Sequence, residues 1–152
     1  MIDIKLVSKP ISVPIKYNPY YKLLILLIII NYCTRSPNKA SISLIHLVFW
    51  AIRDSVNYKV LFDFSKQIRD SLISWTFEPG MNEILSLSFI EEYCDKVIVS
   101  GEMEIKITDK GKKVVKEIEE LELFTEQINQ IKKLGILPKA RINKANNNWK
   151  LI

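Results

Sequence analysis

Polar chemistry in a protein needs nucleophiles, bases or metal ligands held beside one another, and this chain offers few residues of those types. Its single histidine, His46, has Ile42, Ser43, Phe49 and Trp50 three and four residues away. None of these is an acid or a cysteine, and Ser43 alone makes no triad, so His46 reads as a structural or surface residue. Cys33 and Cys94 each lie in an apolar stretch, without the CxxC or Cys/His spacing of a zinc site. They read as buried free thiols of a cytoplasmic protein. The carboxylate pairs Glu91-Glu92 and Glu119-Glu120 are adjacent in sequence and point apart on a helix. The four glycines, at 80, 101, 111 and 135, are scattered, and no GxxxxGK phosphate loop occurs. Neither a catalytic site nor a cofactor or metal site is expected, and an enzyme is the weakest reading.

Charge offers a second kind of chemistry. The net charge of +5 permits contact with nucleic acid without demanding it, so its distribution decides. Lys96, Lys106, Lys110, Lys112 and Lys113 could form a modest phosphate-facing patch, the alternative being a solvated hairpin. Near the C-terminus Lys139, Arg141, Lys144 and Lys150 carry no acid among them and are followed or flanked by Trp149. Such a segment could touch phosphates and stack on a base, or simply fray.

Ile2, Ile4 and Leu6 alternate with Asp3 and Lys5, then Pro10 and Pro14 interrupt, so residues 1–18 read as an extended arm. No signal-peptide pattern opens it. Asn18-Pro19 is a helix start, and the first helix is expected from Pro19 to Cys33. Its eight apolar residues, Leu23 to Ile30, fall short of the roughly 20 needed to span a membrane, so a core helix is expected. The β-prone Ile28-Ile29-Ile30 run leaves a strand as the alternative there. Ser36-Pro37 repeats the start signal, with Asn38 or Ser41 as alternative caps, and Ile42, Ile45, Phe49 and Ile52 mark one helical face. After a bend at Arg53-Asp54-Ser55, Val56, Val60, Leu61, Phe64 and Ile68 space as a third helix. Leu72 to Phe77 has strand character and is expected to join a small sheet.

Met81 to Tyr93 reads as a helix burying Ile84, Leu85, Leu87, Phe89 and Ile90. Then comes a hairpin with its turn at Gly101-Glu102, Val97, Val99, Ile105 and Ile107 facing the core, and Glu104, Lys106 and Thr108 outward. Thr108 or Asp109 caps a helix whose apolar stripe runs through Val114, Ile118, Leu121, Phe124, Ile128, Ile131 and Leu134. Unbroken, its 26 residues from Asp109 would extend roughly 40 Å; a break near Glu122 is the other option. Phe124, Ile128 and Ile131 are candidate partner contacts, against self-packing. Gly135 and Pro138 stop the helix. Mainly α with a small β-hairpin wing, an α+β winged helix-turn-helix-like fold, is the expectation: an arm over 1–18, a winged-helix unit over 19–135, and a basic tail over 136–152.

A winged helix most often reads DNA through the helix before its wing. Here Glu78 to Asp95 holds five acids and neither Lys nor Arg, a local charge of −5 that phosphate would repel. Asn82 and Glu83, at the start of that helix, are therefore candidate contacts for a protein.

Several stretches carry a family likeness: Tyr21 to Leu27, Lys39-Ala40-Ser41 with Leu47 to Asp54, Phe77 to Asn82, and Ile107 to Gly111. The chain resembles the small middle components of ABC three-component systems, the group that includes the accessory subunit of Lamassu-type antiphage defence. The likeness spans roughly residues 19 to 135, and Trp50-Ala51-Ile52-Arg53-Asp54 with the Pro79-x-x-Asn82 helix start is its most distinctive part. It implies a non-catalytic adaptor in the cytoplasm that docks on an SMC-like ABC ATPase and links it to an effector, often a nuclease. DNA would then be met through the complex, and no membrane is involved. A DNA-binding transcriptional regulator is the alternative.

Overall fold

The computed structural model describes residues 18–149; the expected arm over 1–17 and Lys150 lie outside the described residues, as does the side chain of Trp149. Among the described residues the chain is mainly helical, with seven helices and one three-stranded antiparallel sheet.

Helix α1 (Pro19–Cys33) is the element around which the others pack. It begins where Asn18 accepts a hydrogen bond from the Tyr20 amide, and Pro19 occupies a position that needs no donor. Every residue from Leu23 to Ile30 is at most 4% exposed, so the helix is apolar on all sides and α2, α4, α5, α6, β1 and β3 all contact it. Each such aliphatic side chain contributes about 1.5–3 kcal/mol of transfer free energy, which outweighs the β preference of Ile28-Ile29-Ile30. At 15 residues α1 is too short to cross a membrane, and no described helix is long and apolar enough to do so.

Strand β1 (Lys39–Ser41) takes the place in the sheet expected for Leu72 to Phe77. Residues 72–77 form no strand; they run as an irregular strap with Leu72 buried and the Trp75 indole N–H donating to Asn146 Oδ1 at 3.1 Å. Ser41 then caps α2 (Ile42–Ile52) by accepting from the Leu44 amide, and Asp54 caps α3 (Ser55–Ser65) by accepting from the Val56 amide. Helix α3 stops at Ser65, with Gln67 at φ 62°, so Ile68 leaves the expected stripe and is 69% exposed.

Helix α4 (Met81–Ile90) follows Gly80, whose φ of 76° suits glycine, and leads into the hairpin of β2 (Cys94–Val99) and β3 (Glu102–Ile107). The turn is two residues, Ser100 and Gly101, both at positive φ, as a type I′ turn requires. That turn sets the register and corrects the expected faces. Val97 pairs with Glu104 and Val99 with Glu102, opposite to the face of Ile105 and Ile107; a three-residue loop would have joined all four. Glu104, expected outward, is 6% exposed. Central β3 pairs Ala40 with Ile105 on its other edge.

The apolar stripe after Thr108 is two helices, α5 (Asp109–Glu120) and α6 (Thr125–Leu134), separated at Glu122 and Phe124, both with positive φ. The break lets α6 fold back on α1. Tyr32 of α1 donates to Glu119 of α5 at 2.6 Å, and Lys132 of α6 reaches the same carboxylate at 2.7 Å. Self-packing thus takes Ile128 and Ile131, buried to 4% and 0% exposure, and they present nothing to a partner in this fold. Phe124 is half-buried, edge-on to Tyr21 with ring centres 5.2 Å apart.

The expected basic tail is also helical. Helix α7 (Lys139–Trp149) buries Ile142 and Ala145 and contacts α2. Arg141 donates to the Phe64 carbonyl at 2.8 Å and lies 4.3 Å from the centre of its ring.

Candidate functional site

Two features gather most of the functional character: the outward stripe of α4, and a cleft beside the Glu78-Pro79-Gly80 segment that opens that helix.

On α4, Ile84, Leu85 and Ser88 face the core, while Asn82, Glu83, Ser86 and Ile90 are exposed. Glu83, Ser86 and Ile90 are spaced by three and four residues and so share one helical stripe. Ile90, expected in the core, is 74% exposed because the helix ends there and the chain turns into β2. Leu87 and Phe89, also expected inside, are half-buried. No cation lies between Glu78 and Asp95.

The cleft has a volume of about 420 Å³ and is walled by Tyr21 and Lys22 of α1, Phe49, Ile52 and Arg53 at the end of α2, Glu78 and Pro79, and Glu126, Gln127 and Gln130 of α6. At its base the Glu78 carboxylate is held between Lys22, at 3.0 Å, and Arg53. Lys22 also donates to the Pro79 carbonyl at 3.0 Å. Burying the Lys22 and Glu78 charges is costly, and the arrangement is tolerable because each oxygen of the carboxylate has its own cation, the more exposed Arg53 taking the second. The Glu78 amide in turn donates to His46 Nδ1 at 2.8 Å, and the His46 ring lies 4.7 Å from Phe77. Burial lowers the pKa of His46, with the Glu78 charge opposing. Burial, aided by the same charge, raises that of Tyr21. His46 is thus a hydrogen-bonded structural group.

In the sequence Glu78 counts only as one of the five acids between Glu78 and Asp95, with no buried role. Its signal was Lys22, a cation opening an eight-residue apolar run, which must find an anion if the helix is buried. With Glu78 neutralised, the acidic character beside α4 rests on Glu83, Glu91, Glu92 and Asp95.

The candidate phosphate contacts are dispersed. Register places Lys96 and Lys106 on opposite faces of the hairpin. Lys110 at the start of α5 lies 5.5 Å from the centre of the Tyr93 ring; Lys113 is exposed and Lys112 half-buried. Lys139 bridges Glu104 at 2.8 Å and Glu102 at 3.1 Å, and Arg141 is held on Phe64, so both serve the fold. Lys144 is exposed on α7. Among the described residues no cluster of three or more His, Cys, Asp or Glu could hold a metal ion. Comparison with family models, curated proteins and solved structures finds no match to this chain.

Proposed function

We propose that the protein is a non-catalytic adaptor with a winged-helix plan, which docks on a larger partner through the exposed stripe of α4. The succession α1, β1, α2, α3, α4, β2, β3 supports the winged-helix reading, since it sets α4 just before a two-stranded wing. The single observation that carries the adaptor role is the chemistry of that stripe: Asn82, Glu83, Ser86 and a largely exposed Ile90, with no cation. An apolar anchor among polar and acidic groups suits a protein surface, whereas the DNA backbone is held by cations.

The resemblance to middle components of ABC three-component systems names the partner we favour, an SMC-like ABC ATPase acting with an effector such as a nuclease. Affinity purification of the tagged chain, co-expressed with the products of its neighbouring genes, should retain a long coiled-coil ATPase. The absence of any such neighbour would overturn this assignment. Tight, sequence-selective duplex binding by the isolated chain, weakening steeply with salt, would favour a transcriptional regulator instead.

A further inference from the structure

A second cavity lies between the end of α1, β1 and the start of α7, away from the α4 stripe. Its volume is about 390 Å³, and Arg35, Lys39, Lys139 and Glu104 supply its charged lining. Lys139 is neutralised there by Glu104 and, from just outside, by Glu102, so among the described residues Arg35 and Lys39 are left as the uncompensated cations of a recess that Ile136 and Leu137 also line.

The fold fixes this arrangement. Leu137 donates its amide to the Cys33 carbonyl at 3.1 Å, tying the segment before α7 to the end of α1. Lys139 is held on Glu104, which is itself buried, and on the exposed Glu102 outside the recess. Arg35 and Lys39 are different: neither has an ion partner among the described residues. Lys39 moreover sits directly opposite Lys106 in the β1–β3 pair, a like-charge juxtaposition that works against the sheet and that Asp95, across from Lys106, only partly offsets. Stability alone gives no reason to collect these charges.

We infer that this cavity is a binding site for a small phosphomonoester. A dianionic phosphate matches the two positive charges of Arg35 and Lys39, whose guanidinium and ammonium groups supply the charge-assisted donors that phosphate oxygens accept. The volume exceeds what a phosphate alone fills and falls in the range of small-ligand pockets. Ile136 and Leu137 then face the organic part of the ligand.

The test is isothermal titration of the full chain at low ionic strength with adenosine monophosphate, inorganic phosphate, adenosine and a duplex oligonucleotide. The monophosphate should bind saturably, inorganic phosphate more weakly, and adenosine not at all. The double variant R35Q/K39Q should lose at least tenfold in affinity for the monophosphate with a melting temperature no lower than that of the wild type, and K39R should retain binding. No saturable binding of the monophosphate, binding unaltered in R35Q/K39Q, or binding of the duplex alone would each overturn the assignment. The outcomes with monophosphate, inorganic phosphate and adenosine do not bear on the adaptor reading, which rests on α4.

Discussion

Gly111 on α5 lies so close to the main-chain carbonyl of Tyr93 that no β-carbon fits between them, and an added one would also stand 2.7 Å from Ile107 Cγ1. The contact seats the helix on the root of the hairpin, where Thr108 donates to the Glu92 carbonyl at 2.7 Å and caps the Gly111 amide. Alanine is worth about 1 kcal/mol more than glycine in a helix interior, yet here the obstacle is backbone and cannot rotate away. Gly111→Ala should therefore destabilise the protein by about 1–3 kcal/mol in urea unfolding, and a stabilised variant would contradict the packing described.

Removing the Glu78 carboxylate leaves Lys22 buried without its anion. Glu78→Gln should cost about 3–5 kcal/mol, and adding Lys22→Met should restore part of that loss, because an apolar replacement needs no counter-charge. A double-mutant cycle measures the coupling. Independent, additive effects would show that the ion pair does not hold the cleft.

His46 gives stability a pH dependence whose sign follows from its neighbours. Burial lowers its pKa in the folded state below the ordinary 6.5, with Glu78 opposing. The unfolded chain then binds the proton first, so this contribution is complete above about pH 6.5 and is lost as the pH falls toward the lowered folded value. Protonation would also remove the acceptor for the Glu78 amide. His46→Asn retains an acceptor without titrating, so the melting temperature of the wild type should fall relative to this variant between pH 7 and pH 5. Parallel profiles would exclude the mechanism.

Burial pushes the Cys33 and Cys94 thiols up to about 12. Thiolate is the reactive form, so both should resist a disulfide reagent at pH 8 in the folded protein and react together once it is unfolded in guanidinium. Rapid labelling of either in the folded state would contradict their placement.

Features set by local chemistry were legible in the sequence. Asn18-Pro19 and the following apolar run defined α1 from end to end because cap and core signals agree there. What failed depended on distant partners. Residues 72–77 have strand composition, but Lys39–Ser41 occupies the sheet edge, and a three-residue strand leaves almost no periodic trace. Val97 and Val99 changed face through a single residue of loop length. Lys139 and Arg141 read as tail cations because Glu104 and Phe64, which hold them, are far away in the chain. The cleft was hidden for the same reason, as its carboxylate and its cations come from three separate segments.

The adaptor account rests on the outward stripe of α4, and one comparison tests it most directly: retention of the coiled-coil ATPase by wild-type chain and by the surface variant E83K/I90D. Both substituted side chains face solvent, so the variant should fold and melt as the wild type does. The account predicts that the wild type retains the ATPase and that the variant loses at least tenfold of it. Equal retention by a normally folded variant would contradict it.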